Sequence, residues 1–341
     1  MKWQPGRLLK MLPVYFSGSR KLINVGFLSY LEDQLNKVDQ KMLSVSEGYH
    51  PDLTAAFEHL MNSGGKRIRP IVVLLMGSLL GAEEDKLISL SASVEMLHTA
   101  TLVHDDLIDG ALLRRGNPTL NSHWTAAATV LTGDHIFAQA ALLAAELDNT
   151  EAMRLFAKTL SIIVNGEISQ LFGRNHLPSR DDYYHRIYEK TGSLFALSAK
   201  TAAMISPADR KYIQPAEAYG KEIGKAFQIV DDVLDFTGDQ ALVGKPIGND
   251  LRQGTPTLPA IYYGEQYPED EVLLACLDGK ATESDADKLI QRINQSGVIE
   301  RTLDEARICA DNAVQNLSDF PSGREKDSLE KLGIYIIDRD L

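Results

Sequence analysis

The sequence predicts an all-α fold, in which one antiparallel helical bundle surrounds a deep central cavity. Ala and Leu are abundant, and hydrophobic residues make up 44% of the 341-residue chain, enough for a large core. From residue 27 onward apolar residues recur at helical spacing, and no segment alternates convincingly as a strand would. Because nothing between these segments looks like a linker, we expect a basic N-terminal arm over 1–26 and a single domain over 27–341.

The predicted helices follow one another along the chain with clear start and stop signals. Pro70 opens the third helix and Gly81 ends it, while Ser179 is placed to cap the seventh. The fifth helix carries an interruption at Gly133-Asp134-His135. The predicted segments are 27–43, 52–61, 71–80, 83–109, 122–147, 151–172, 179–205 and 215–236, and shorter, more charged helices follow a glycine-marked loop over 238–254.

Charge and composition exclude several classes of protein. The chain has 35 basic and 47 acidic residues, a net charge of −12, which argues against nucleic-acid binding. No apolar run is long enough to span a membrane, and the two cysteines, Cys276 and Cys309, suit a reducing compartment. We therefore expect a cytoplasmic protein. The basic arm leaves open a targeting leader, a peripheral membrane contact or an irregular segment.

Two clusters of aspartates interrupt apolar helices. Asp105 and Asp109 lie four residues apart, so a helix holds both on one face, where like charges repel. Asp231 and Asp235 repeat this spacing far downstream. Both clusters come late in their helices, where the helix dipole disfavours negative charge, so a capping role fits poorly. Oxygen ligands at this spacing suit Mg²⁺ completed by substrate phosphates, and the sequence therefore predicts metal sites that face each other across a cavity.

Basic residues supply the complement to these carboxylates. Lys66, Arg67 and Arg69 follow two glycines at the start of a predicted helix, and helix N-termini attract anions. Arg114 and Arg115 come shortly after the first aspartate cluster. Beside paired metal sites in an acidic protein, such cations favour a diphosphate-binding site over a solvated surface.

These motifs together resemble the trans-isoprenyl diphosphate synthase family, the head-to-tail prenyltransferases. The resemblance covers roughly residues 60–260 and includes GGKRIRP, DDLID, RRG, KTG at 190–192, FQIVDDVLD, and GKPIGND followed by LRQGTPTLP. It implies an all-α bundle that joins an allylic diphosphate to isopentenyl diphosphate with Mg²⁺. It also implies a homodimer, although a heteromer stays open, and assigns the final proton to the released diphosphate.

The resemblance further implies a role for each matching residue. Asp105 and Asp109 would hold two of three Mg²⁺ ions, and Asp231 with Asp235 the third. The residues implied to contact the allylic diphosphate are Arg114, Lys190 and Lys245. Those implied to bind isopentenyl diphosphate are Lys66, Arg69, His98 and Arg115. Thr191 and Gln228 are implied to support positive charge near the ionising carbon.

Position and residue type also suggest roles for some further residues. His98 lies two helical turns before Asp105 and so on nearly the same face. Glu167 and Gln170 lie one turn apart on a mid-chain helix, and we expect them to line the cavity. One position departs from the family, which often has Lys where this chain has Thr255, and the lost contact could pass to Arg252.

The length of the product follows from the residues just before the first aspartate cluster. The growing prenyl tail should pass Ala100 and Thr101, where short-chain members of the family carry a large aromatic residue. Both side chains are small here, which predicts a product longer than geranylgeranyl diphosphate. Candidates for the floor of the tunnel are Ile136, Phe137 and Leu143.

Three other functions fit parts of the sequence. A short-chain synthase that makes farnesyl or geranylgeranyl diphosphate would use the same motifs. A class I terpene cyclase shares the first aspartate motif, but it would normally lack GGKRIRP and carry an Asn/Ser/Glu-type second motif. A non-catalytic subunit of a heteromeric synthase should have eroded aspartate motifs, whereas both are complete here.

Overall fold

The structure is a computed structural model that describes residues 26–45, 48–62, 64–114, 116–172, 176–238 and 247–338. Almost the whole predicted N-terminal arm lies outside these residues. The principal helices are α1 (Glu32–Ser44), α2 (Pro51–Asn62), α3 (Ile68–Leu79), α4 (Glu84–Ile108), α5 (Leu120–His123), α6 (Ala126–Ala145), α7 (Thr150–Phe172), α8 (Arg180–Ile187), α9 (Ser193–Met204), α10 (Ile213–Thr237), α11 (Asn249–Arg252), α12 (Leu258–Gln266), α13 (Glu271–Leu277), α14 (Glu283–Gln295), α15 (Val298–Gln315) and α16 (Arg324–Asp338). The all-α prediction is confirmed.

The centre of the bundle is α3, in which every residue from Ile68 to Gly77 is buried. This helix packs against α4 on one side and against α9 and α16 on the others. The two longest helices, α4 and α10, each span 25 residues and carry the two aspartate clusters near their C-terminal ends. A single buried hydrophobic cluster extends from Leu28 to Ile337, so the described helices share one core.

The predicted interruption at Gly133 is wrong, because α6 continues through it without a break. A Cβ atom at Gly133 would lie 2.2 Å from Nε2 of His104 on α4, so this glycine is a packing position and not a helix end. His104 fills that space, approaches the Val130 carbonyl oxygen at 3.3 Å and stacks against Phe137 with ring centroids 5.5 Å apart.

The predicted helix over 179–205 contains a second feature that periodicity did not reveal. Ser179 does cap α8, where it forms a capping box with Asp182. Between α8 and α9, however, the chain forms one π-helical turn, Tyr188–Gly192. Single π turns inside α-helices are frequent at functional sites, and this one carries the KTG motif.

Three smaller observations complete the fold. The segment after α4 forms a short antiparallel hairpin, β1 (Leu113–Arg114) and β2 (Asn117–Pro118). By length and composition alone α6 could cross a membrane, but core helices of globular proteins meet the same criterion and α6 packs along α4. Cys276 and Cys309 are buried and unbridged, as predicted.

Candidate functional site

The first aspartate cluster lies at the C-terminal end of α4. Asp105 occupies the last turn and is partly buried, whereas Asp109 is the exposed residue that ends the helix. Burial raises the pKa of Asp105 above its ordinary value and the carboxylate of Glu167 adds to the rise, while Lys190 and Arg114 oppose it. The first aspartate cluster therefore carries negative charge at a position where that charge is electrostatically unfavourable.

Asp106, between these two residues, has a different role. Its side chain turns into the protein, and both carboxylate oxygens accept hydrogen bonds from Nε of Arg114, at 2.8 and 2.9 Å. This ion pair fixes the hairpin that follows α4. It also places Arg114 beside the first aspartate cluster, as predicted.

Lys190 projects from the π-helical turn toward the first aspartate cluster. Its ammonium group lies 3.0 Å from Oε1 of Glu167 and donates a hydrogen bond of 3.2 Å to Oε1 of Gln170. Burial alone would lower the pKa of Lys190, but Glu167 and Asp105 raise it above its ordinary value, so the side chain is a cation. These contacts place Glu167 and Gln170 next to Lys190, and the expectation that both line the cavity stays a prediction.

Thr191, the next residue, connects the same turn to the second aspartate cluster on α10. Its hydroxyl donates to Oε1 of Gln228 at 2.7 Å, and Nε2 of Gln228 donates to Oδ1 of Asp232 at 2.8 Å. Tyr183 on α8 donates to the other oxygen of Asp232 at 2.6 Å. Neither Tyr183 nor Asp232 was singled out from the sequence, because their contact joins residues 49 positions apart.

The second cluster divides its carboxylates as the first one does. Asp232 is buried, whereas Asp231 and Asp235 are partly exposed. Asp235 accepts hydrogen bonds from the backbone N–H groups of Asn249 and Asp250, at 3.1 and 3.3 Å, at the start of α11. Burial and the nearby Asp250 raise the pKa of Asp235. Asp250, which was absent from our predicted ligand set, therefore adds a further carboxylate to this side.

The three cations of GGKRIRP do not act alike. Arg67 adopts a left-handed backbone conformation with φ of +48° at the N-terminus of α3. Its guanidinium is buried against Asp39 and Glu95, with N–O distances of 3.1 and 2.9 Å. Because Glu95 lies one turn before His98, this network holds the start of α3 against the part of α4 that carries His98.

Lys66 and Arg69, the two members of the motif predicted to bind substrate, flank this buried arginine. Lys66 is half-buried. The guanidinium of Arg69 lies over the ring of Phe195, 4.7 Å from its centroid, and 5.9 Å from that of Phe227. Cation–π contacts of this kind restrict the guanidinium to one position. The prediction for these residues stays a prediction, with a geometry that permits it.

The sequence also predicts substrate contacts at Arg115 and Lys245 and a lost contact at Thr255. Arg115 and Lys245 fall outside the described residues. Thr255 is buried, and with Gln170 and Arg186 it lines a cavity of about 220 Å³. The guanidinium of Arg252 pairs with Asp287 on α14, and its Nε donates to the Ile247 carbonyl.

Ala100 and Thr101, the predicted chain-length residues, occupy adjacent positions on α4. Ala100 is fully buried, and it shares its helical stripe with Ser93 and His104, which both reach backbone carbonyls of α6. Thr101 is partly buried one turn before Asp105. Of the predicted floor residues, Ile136 and Leu143 are buried and Phe137 is partly buried. A large side chain at Ala100 would therefore meet α6.

The donor set fits a hard divalent cation. It consists of carboxylate oxygens, and burial together with neighbouring carboxylates raises the pKa values of Asp105 and Asp235, a rise that a bound cation would counter. Within the described part of the chain no three His, Cys, Asp or Glu side chains converge as a preformed metal site would. Mg²⁺ is usually held by one or two carboxylates together with water and substrate phosphates, so this geometry is the expected one.

Comparisons with known proteins show what this chain is similar to. Residues 50–293 match the family model described as polyprenyl synthetase. The chain is 33% identical to heptaprenyl diphosphate synthase component 2 of Bacillus subtilis, over 90% of this chain and 88% of that protein. It is 35% identical to solanesyl-diphosphate synthase 2 of rice, over 92% of this chain and 79% of that protein.

The structure has the same fold as a polyprenyl synthase from Caulobacter crescentus whose crystal structure contains calcium and isoprenyl diphosphate. The TM-score is 0.88 at 33% sequence identity, and the match covers 92% of this chain and 97% of that one.

The crowding of carboxylates leads to a test by substitution. Asp105→Asn removes one buried negative charge, and we expect the metal-free protein to gain on the order of 1 kcal/mol in free energy of unfolding. The same variant should lose most of the stabilisation that Mg²⁺ and diphosphate give together. Thermal unfolding with and without these ligands measures both effects. Asp311→Asn, at an exposed position on α15, is the control and should change neither. A less stable metal-free Asp105→Asn protein would contradict the interpretation.

Proposed function

The chain belongs to the polyprenyl synthetase family, and we propose that it is a trans-prenyltransferase that extends an allylic diphosphate with successive isopentenyl diphosphate units. The product is a long-chain polyprenyl diphosphate. Relatives named for heptaprenyl and solanesyl products support this assignment over most of the chain.

One observation carries the proposal: a single π-helical turn connects both aspartate clusters. Lys190 interacts with Asp105 and Glu167 on one side, while Thr191 bonds Gln228 on the other. A ligand between the two clusters would therefore meet carboxylates from α4 and α10 and a cation between them. This combination suits a metal–diphosphate complex.

The proposed reaction creates negative charge on the leaving diphosphate and positive charge on the allylic carbon, and it releases a proton. The C1–O bond of the allylic diphosphate breaks and its electron pair leaves with the diphosphate, where Lys190 and Arg114 would offset the added negative charge. The double bond of isopentenyl diphosphate attacks the resulting cation, a new carbon–carbon bond forms, and one proton passes to the released diphosphate. Lys66, Arg69 and His98 would hold the second diphosphate so that attack precedes capture by water.

Mg²⁺ is the cation that this donor set suits, and three ions are proposed, two at Asp105 and Asp109 and one at Asp231 with Asp235. When bound, Mg²⁺ would stabilise negative charge on the leaving diphosphate. The calcium and isoprenyl diphosphate in the related crystal structure support a divalent cation at such a site.

The assembly is proposed to be a homodimer. Exposed apolar side chains form neighbouring surfaces on α6 and α7, and exposed patches of this kind mark interaction sites. They are Val130, Leu131, Leu142, Val164, Ile168, Leu171 and Phe172. The relative named component 2 favours a second candidate, a catalytic subunit that works with a different partner.

A cytoplasmic location is proposed as well, supported by two buried cysteines that form no disulfide. A long polyprenyl chain is strongly apolar. Product release therefore favours a peripheral membrane contact, either through the product itself or through the N-terminal arm.

Incubation with labelled isopentenyl diphosphate, Mg²⁺ and a panel of allylic primers tests the function directly. We expect products longer than geranylgeranyl diphosphate, and a loss of roughly 100-fold or more in kcat/KM for Lys190→Ala, because a cation at the leaving group is removed. Lys280→Ala, at an exposed site, is the matched control. Elongation that requires an added partner would favour the heteromeric candidate, and no elongation under any condition would overturn the proposal.

Product length tests the role of Ala100. Ala100→Phe places an aromatic ring against α6, and we expect products shortened by several isoprene units in chromatography. Ala100→Ser should keep the wild-type length, because the side chain stays small and its hydroxyl can bond to a carbonyl of its own helix, as Ser198 does. Full-length products from a folded Ala100→Phe protein would rule out a tunnel at this position.

Sedimentation measurements test the assembly. Leu131→Asp combined with Ile168→Asp places charges on the exposed apolar surfaces of α6 and α7, and we expect the dimer to dissociate at micromolar concentration. Ile334→Asp, equally exposed on α16, is the control and should leave the dimer intact. A wild-type protein that sediments as a monomer would contradict the proposed homodimer.

A further inference from the structure

A series of three hydrogen bonds runs from Tyr183 to Thr191. It passes from the Tyr183 hydroxyl to Asp232, from the Gln228 amide to the same carboxylate, and from the Thr191 hydroxyl to the Gln228 carbonyl. Tyr183 is fully buried on α8, and the Asp232 side chain is almost fully buried on α10. Only Thr191 and Gln228 belong to the set of residues placed at the reacting carbon.

The direction of each bond in this chain follows from the chemistry of its members. The Gln228 amide nitrogen lies 2.8 Å from Oδ1 of Asp232, and an NH₂ group can only donate to that oxygen, so the NH₂ end of Gln228 faces the carboxylate. The carbonyl end of Gln228 then faces Thr191 and accepts the one hydrogen that the Thr191 hydroxyl can donate. Asp232 therefore fixes the orientation of two side chains in series.

This series of hydrogen bonds determines how Thr191 faces a ligand. Because the Thr191 hydroxyl donates its hydrogen to Gln228, the group can present only its oxygen lone pairs to a neighbouring ligand. A hydroxyl in that orientation attracts positive charge, whereas the reverse orientation would repel it. This polarity suits a site in which an allylic cation forms.

We propose that Tyr183 and Asp232 are positioning residues that hold Thr191 with its oxygen toward the developing allylic cation. This role rests on the proposed prenyltransferase activity and adds two residues to it. Tyr183 keeps one carboxylate oxygen of Asp232 occupied, which leaves the other for Gln228. Neither residue contacts substrate in this role, and both act through Gln228 and Thr191.

Tyr184 provides a matched control for Tyr183. It is the next residue on α8, and its hydroxyl also donates to a carboxylate, but that carboxylate is Glu305 on α15, at 3.0 Å. Tyr262 donates to the other oxygen of Glu305 at 2.9 Å. Removing the Tyr184 hydroxyl therefore breaks a comparable hydrogen bond that does not lead to Thr191.

The test measures the single-turnover rate of the first condensation, which separates the chemical step from product release. Tyr183→Phe should slow this rate roughly 10-fold, with the KM of both substrates and the Mg²⁺ requirement unchanged. Tyr184→Phe should leave the rate within about 2-fold of wild type. In a Thr191→Val background, which lacks the hydroxyl, Tyr183→Phe should have almost no further effect, because it acts through that hydroxyl.

Each other outcome has a defined meaning. Equal costs of Tyr183→Phe in the wild-type and Thr191→Val backgrounds would overturn the positioning role, as would a loss confined to KM or to thermal stability. If Tyr183→Phe does not fold, Asp232→Asn in the same two backgrounds makes the same comparison. A wild-type protein without turnover would overturn the proposed function itself, whereas turnover with additive costs would overturn only the positioning role.

Discussion

Carboxylates gathered inside a protein repel one another and lose their hydration, and the architecture around this site reflects that constraint. In each aspartate cluster one carboxylate points into the protein and accepts hydrogen bonds from neighbouring side chains. Asp106 is paired with Arg114, and Asp232 is bonded by Tyr183 and Gln228. Burial raises the pKa of Asp105 and of Asp235, and a neighbouring carboxylate adds to the rise at each of them. A cation supplied with the substrate would neutralise these carboxylates, so substrate binding would also remove their mutual repulsion.

The π-helical turn lets one short segment serve both clusters. An α-helix would place Lys190 and Thr191 about 100° apart around its axis, and the wider turn changes where each points. Close packing fixes this turn on two sides. A Cβ atom at Gly224 would lie 2.7 Å from the Cα atom of Gly192, and one at Gly166 would lie 2.8 Å from Cβ of Glu189. Any shift of the turn would therefore have to move α7 or α10.

Residues whose role depends on local spacing could be predicted from the sequence. Asp105 and Asp109 were recognisable because four-residue spacing in an apolar helix is informative by itself, and the structure places Lys190 near both of them. The three cations at 66–69 could not be told apart in this way. A left-handed backbone conformation turns Arg67 inward to Asp39 and Glu95. Tyr183 left no signal at all, because a buried tyrosine is ordinary until its distant partner is known.

The contact between Gly133 and His104 links two parts of the chain that must change together. A residue with a side chain at position 133 would need a smaller one at position 104, or a wider gap between α4 and α6. Because His104 precedes Asp105 directly, a wider gap would also displace the Asp105 carboxylate. In evolutionary terms, substitutions at this contact on α6 are coupled to the position of Asp105, and neither can drift alone.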